Sequence, residues 1–181
     1  MMNYEQFYRQ ITSGIRGRKR PLRALPALNR LLTGLMYLAY PLLLAAILIR
    51  EGRGQGRKAL LNSDFLKCLL IPAGGFAAET ALRAGINRPR PYETWKLDPL
   101  IHKDTRGKSF PSRHVFSSVI ISMAYLFICP AAGAFFLAVS ALTALLRVIG
   151  GVHYPSDVAA GYGLGAAWGL LFWTGKKRKS K

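Results

Sequence analysis

Acidic residues are scarce in this chain: 8 Asp and Glu stand against 26 Lys and Arg in 181 residues, for a formal charge of +18. Cysteine is scarcer still. Cys68 and Cys129 lie in apolar stretches without metal-ligand spacing, which argues against a zinc site and favours two buried small hydrophobes over a disulfide. No signal peptide is expected, because residues 1–30 are polar and arginine-rich, with no apolar core ahead of a cleavage site. No internal repeat relates the two halves, so a repeat-built transporter lacks support. The length allows one domain.

What the chain does have is apolar sequence. Hydrophobic residues make up 51%, so two classes of basic protein fit: a nucleic-acid binder, or a membrane protein with basic loops and an anionic ligand. A nucleic-acid binder runs its cations along a helix face or among aromatics. Here they form blocks between long uncharged runs, which favours the membrane protein and excludes nucleic acid as partner.

Residues 31–49 carry no charge and predict a spanning helix, kinked at Pro41. Residues 65–82 predict a second span despite Lys67, which can snorkel, and Glu79, which is expected to face a cavity. Residues 115–129 and 131–146 form an apolar hairpin, and 158–174 a last span. The fold class is thus all-α: a polytopic transmembrane bundle of about five spanning helices. Tyr4, Phe7, Tyr8, Ile11 and Ile15 recur at helical spacing, predicting an N-terminal interfacial helix followed by a basic tether within residues 1–30. Gly161, Gly165 and Gly169 give the last span a small-residue face for close packing. They do not form a dinucleotide fingerprint, since no strand precedes them and no acidic residue follows.

With alternating spans, three polar segments converge on one face. They are the long loop 83–113, the start of the third span, and the 147–157 connection. Together they supply Arg83, Arg88, Arg90, Ser112, Arg113, His114, Arg147, His153 and Asp157. Guanidiniums, a hydroxyl and the amides of a helix N-terminus make a cradle for a tetrahedral oxyanion. One imidazole can attack phosphorus while a second protonates the leaving oxygen. His153 and Asp157 are four apart, so the carboxylate can hold one ring nitrogen protonated and free the other. The reaction implied is phosphate-ester hydrolysis through a phosphohistidine. A zinc site of two histidines and a carboxylate is the weaker option, because the surrounding guanidiniums repel a dication. Arg88, Lys96, Lys103, Arg106 and Lys108 are expected as solvated charges or headgroup contacts, and His102 as an ordinary loop histidine.

These segments resemble the tripartite signature of the type-2 phosphatidic-acid phosphatase superfamily: K-x6-R-P, then P-S-G-H, then S-R-x5-H-x3-D. Here the first reads Arg83, six residues, Arg90-Pro91; the second Pro111-Ser112-Arg113-His114; the third Leu146-Arg147, five residues, His153, three residues, Asp157. By position, the resemblance implies phosphate ligands at Arg83, Arg90, Ser112 and Arg147, with the backbone at Arg113 and His114 helping. It implies His153 as nucleophile, His114 as general acid and Asp157 as the partner orienting His153. It also implies a metal-independent enzyme without cofactor, residues 31–175 being its transmembrane domain with catalytic loop 83–113 and residues 176–181 a basic tail. Three positions depart from the signature: Arg83 stands for lysine, Arg113 for glycine and Leu146 for serine.

The expected substrate is a lipid phosphate or diphosphate: phosphatidate, phosphatidylglycerophosphate or undecaprenyl diphosphate. The rival is a non-catalytic membrane protein binding anionic headgroups through the same cradle. The expected location is the cell membrane, multi-pass, with an extracytoplasmic active site.

Overall fold

The computed structural model describes residues 3–52 and 64–174, and every regular element among them is helical. The basic residues at 53–58 and the tail 176–181 lie outside the described residues. In order the helices are α1 (Tyr4–Arg16), α2 (Lys19–Gly52), α3 (Asp64–Ile86), the single turn α4 (Pro91–Thr94), α5 (Arg113–Ile128), α6 (Pro130–Ile149) and α7 (Pro155–Gly169). A 3₁₀ turn, Leu170–Trp173, extends α7.

All five apolar segments of the sequence are helical. Three of the helices, α2, α3 and α6, are long and apolar enough to cross a bilayer. At 16 residues, or about 24 Å, α5 falls short of a hydrocarbon core about 30 Å thick. Its setting explains how that is tolerated. It is apolar nearly all round and buried along its length by α6 and α7, with Val115, Val119, Ile120 and Ala124 sealed in the core. The surrounding helices turn large apolar side chains outward: Leu31, Tyr37, Leu38 and Leu42 of α2, Leu70 of α3, and Phe135 and Leu145 of α6 are each more than half exposed. An outer surface of that kind suits lipid rather than water.

Polar and small residues tie the bundle together. Ser118 and Ser122 of α5 meet Ser140 of α6, oxygen to oxygen, at 2.5 and 3.0 Å. Pro72, inside α3, cannot donate to the Cys68 carbonyl four residues back, and Tyr40 Oη of α2 supplies that bond at 2.9 Å. Gly161 and Gly165 of α7 press on the backbone of α5. A Cβ at either would lie 2.8 Å from the Ser112 carbonyl or 2.9 Å from that of Phe116. The small-residue face expected on the last span is therefore the α5–α7 contact.

Two expectations change. Residues 19–30, read as a tether, form the first turns of α2, whose Leu25 packs against Leu100 and Leu146. Both cysteines are free, but only Cys68 is buried; Cys129 is exposed, because it sits at the α5–α6 junction outside the packed helices.

The interfacial helix α1 begins with a reciprocal Asn3–Gln6 capping box. It docks on the loops of the polar face: Tyr8 is fully buried, its hydroxyl donating to the Ile149 carbonyl at 3.2 Å and accepting from the Leu100 amide at 3.3 Å.

Candidate functional site

Four helix ends define the site. Arg83 comes from the last turn of α3, Ser112 to His114 from the start of α5, Arg147 from the last turn of α6, and His153 and Asp157 from the entry to α7. Two backbone links set their register: the Ser112 amide donates to the Asp157 carbonyl, and the Ser109 amide to that of Arg88, at 2.9 and 2.8 Å. Arg83 uses its guanidinium fork to donate to the carbonyls of Lys108 and Pro111. A lysine ammonium has no such planar fork, so the arginine at this position holds the approach to α5 by its own geometry.

Arg83, Arg90, Ser112, Arg147, His153 and Asp157 are all buried. Arg83, Arg90 and His153 line a cavity of about 400 Å³ with His114, Lys103 and Arg113. Arg147 reaches the same place through His114. Among the described residues, the Ser112 hydroxyl and the Nε groups of Arg90 and Arg147 are buried without a hydrogen-bond partner. Buried donors are ordinarily satisfied, so this grouping fits an oxyanion ligand.

The partners of each histidine set its tautomer. His153 Nδ1 lies 3.4 Å from Asp157 Oδ2 and 3.4 Å from Ser109 Oγ. Ser109 donates its one proton to Asp157 Oδ2 at 2.5 Å, so toward the ring it can only accept. Arg90 Nη1, which can only donate, lies 3.4 Å from Nε2. Both constraints place the hydrogen on Nδ1 and the lone pair on Nε2. For His114 the assignment reverses: Arg147 Nη2 faces Nδ1 at 3.5 Å, leaving the ring hydrogen on Nε2. Burial, with Arg147 and Arg90 alongside, pushes His153 well below the ordinary histidine range despite the opposing pull of Asp157. It is therefore neutral at pH 7.

Asp157 is held from four directions. Besides Ser109 and His153, it accepts from the Tyr154 amide at 2.9 Å and from Arg88 Nη1 at 2.7 Å. Arg88 is thus not a solvated charge. It stacks over the Tyr154 ring at 4.2 Å and clamps the carboxylate that faces His153. Lys103 is likewise drawn inward. Burial first, and then Arg147 and Arg90, push it down to about 8. Arg106 and Lys108 line the same cavity.

Arg113 does not crowd the cradle. Its Nε turns to buried Glu79 at 3.3 Å, and Glu79 also faces Arg83 Nε at 3.4 Å. The sequence reading missed Ser109 and the pairing of Glu79 with two arginines. Ser109 lies in an aperiodic loop and Glu79 meets Arg113 from a different helix, so no spacing rule exposes those contacts; the Glu79–Arg83 pair, four apart within α3, is the part that helical spacing could have found. Leu146, standing for serine, is buried in an apolar cluster with Leu32, Met36 and Ile121.

The sequence model of the PAP2 superfamily matches residues 64–181, which hold every residue of this site. The chain belongs to the PAP2 superfamily. As a member of that family it is a membrane lipid phosphate hydrolase. It is similar to the undecaprenyl-diphosphatase BcrC of Bacillus subtilis (strain 168), at 29% identity over 171 residues, covering 94% of this chain and 82% of the relative. Its fold is similar to that of Aquifex aeolicus LpxE, with a TM-score of 0.62, 21% identity and 92% of each chain covered. It is also similar to that of a transmembrane PAP2-type phosphatidylglycerolphosphate phosphatase from Bacillus subtilis, with a TM-score of 0.57, 21% identity, and 92% and 90% covered. Those identities speak for the fold alone.

Proposed function

We propose that this PAP2 protein hydrolyses a polyprenyl diphosphate of the undecaprenyl type through a phosphohistidine on His153, with His114 as general acid and Asp157 as the orienting carboxylate. The observation that carries the reading is the opposite tautomers of the two histidines. His153 offers a lone pair at Nε2, and His114 offers a hydrogen at Nε2, at one cationic cavity. In the first step Nε2 bonds to the terminal phosphorus, the bond to the bridging oxygen breaks, and the lipid monophosphate departs as an anion with its leaving oxygen accepting a hydrogen bond from His114 Nε2–H. Water then cleaves the P–N bond and releases orthophosphate. Arg83, Arg90, Ser112, Arg147 and the first amides of α5 bind the transferred phosphoryl group.

Substrate class is supported from two sides. The cavity carries a large excess of cations, which suits a diphosphate, and an apolar pocket adjoins it, which suits a hydrocarbon chain. The name of the curated relative BcrC points the same way. A binder without catalysis needs the arginines but gains nothing from a neutral histidine locked to a buried carboxylate. Nor does the donor set invite a dication, since Glu79 is already paired with two arginines and Asp157 with a third.

Purified protein in detergent is expected to release phosphate from undecaprenyl diphosphate in excess EDTA, and vanadate is expected to inhibit it. Loss of activity with chelator and its return with a divalent metal would refute the histidine mechanism. Binding of the lipid with no phosphate release would favour the binder.

We place the active site on the extracytoplasmic side. α2 ends at Gly52, with Arg50 in its last turn, on the face opposite the site, and the sequence beyond it adds Arg53, Arg57 and Lys58; the C-terminal tail adds five more basic residues. Short basic segments favour the cytoplasm. On the site's own face, Arg9 pairs with Glu5 and Arg16 with Asp98, so structural contacts account for some of the N-terminal basics. A single cysteine introduced at Ser180, in a background lacking Cys68 and Cys129, should resist a membrane-impermeant maleimide in intact cells. Strong labelling would reverse the orientation.

A further inference from the structure

Arg113 stands where two cavities meet. One is the cationic cavity that holds His153, Arg83 and Arg90. The other is an apolar pocket of about 290 Å³ between α2, α3, α5 and α6, walled by Met36, Tyr37, Phe76 and Ile121. Among the described residues, only Arg113 and His114 line both. A substrate with its reacting phosphorus at His153 and its hydrocarbon in the apolar pocket must pass these two residues at the atoms that join its halves.

The guanidinium of Arg113 is fixed in that position by α3. Glu79 holds its Nε at 3.3 Å, Thr80 Oγ1 accepts from Nη2 at 3.3 Å, and the Phe76 ring lies 5.0 Å from Cζ. Nη1 takes part in neither bond. The side chain is 38% exposed, against 6% for Arg83, so it can meet a ligand group outside the cradle itself. Glu79 therefore serves two arginines with different surroundings, one inside the cradle and one at its junction with the apolar pocket.

We propose that Arg113, positioned by Glu79, binds the second phosphate of a lipid diphosphate, the one that stays on the lipid, and so sets a preference for diphosphates over monophosphates. This rests on the phosphoryl-transfer reading given above. When Nε2 of His153 bonds to the terminal phosphorus and the bond to the bridging oxygen breaks, the electron pair leaves on a lipid monophosphate. Arg113 stabilises that charge where it develops, at a place prepared before the reaction. A monophosphate substrate has no such group: its leaving atom is an alkoxide oxygen, which depends on the proton of His114.

The test compares farnesyl diphosphate with farnesyl monophosphate, using full-length protein in detergent. kcat/KM is measured for both on the same preparation, so that their ratio is independent of the fraction folded. Arg113→Ala should lower the diphosphate-to-monophosphate ratio about tenfold or more, and Arg113→Lys, which keeps the charge without the fork, should lower it less. If Arg113→Ala yields no active protein, Arg113→Gln is read in the same way. A ratio within about threefold of wild type in the charge-removing variant overturns the assignment, because the cation then does not distinguish the substrates. Wild-type protein that releases phosphate from neither probe would instead overturn the phosphoryl-transfer reading beneath it.

Discussion

Replacing His153 by alanine should lower kcat by about a thousandfold or more while leaving the bundle folded and vanadate bound. Loss of one member of a nucleophile–base unit typically costs several orders of magnitude, and a thousandfold corresponds to about 4 kcal/mol of transition-state stabilisation. The fold should survive because the carboxylate beside the ring does not depend on it. Asp157 keeps its bonds from Ser109, Tyr154 and Arg88 when the imidazole is gone. Arg90 likewise keeps its bond to the Val152 carbonyl at 3.1 Å. Single-turnover phosphate release, with circular dichroism and vanadate binding on the same samples, checks each part. Retention of more than about a tenth of wild-type kcat would remove His153 from the nucleophile's role.

The second large effect is expected at Asp157. Asparagine keeps the shape of the side chain but replaces one acceptor oxygen by an amide donor. Every neighbour of this carboxylate is itself a donor: Ser109 Oγ, the Tyr154 amide, Arg88 Nη1 and, in the tautomer argued above, His153 Nδ1–H. One of these contacts must become donor against donor, and a cheap relief is for His153 to move its hydrogen to Nε2. That takes away the lone pair at phosphorus. Asp157→Asn should therefore lower kcat by about a hundredfold to ten-thousandfold with a smaller change in KM, the pattern of a residue that acts through another. A stability loss of about 2 kcal/mol should accompany it, since charge-assisted bonds to a buried acceptor are lost. A kcat within tenfold of wild type would show that the carboxylate secures the start of α7 rather than the tautomer of His153.

The helices were legible because burial in lipid and in a packed bundle leaves the same signature, long runs without charge. Residues 31–49, 131–146 and 158–174 announce themselves in that way: α2 and α6 contain the first two, and α7 with the 3₁₀ turn that extends it covers the third as far as Trp173. The start of α2 was not legible. Residues 19–30 are too basic to read as part of a span, yet they continue the helix once Leu25 finds Leu100 and Leu146 to pack against.

The candidate site divides along the same line. Short-range spacing was enough to bring His153 to Asp157, because residues four apart at a helix entry are neighbours whatever the rest of the chain does. Motif order and alternating spans were enough to gather Arg83, Arg90, Ser112, Arg147 and both histidines at one end of the bundle. Which nitrogen of each histidine bears the hydrogen is a different matter. It depends on Ser109, 44 positions from His153, on Arg90, 63 away, and on Arg147, 33 from His114. The inward turn of Arg88 toward Asp157 and the sharing of Glu79 between Arg83 and Arg113 are of the same kind. Composition and period determine where a chain can be apolar and which residues adjoin along a helix. The direction of a hydrogen bond between distant loops is decided only when packing fixes both ends, and on this chain the proposed chemistry turns on that direction.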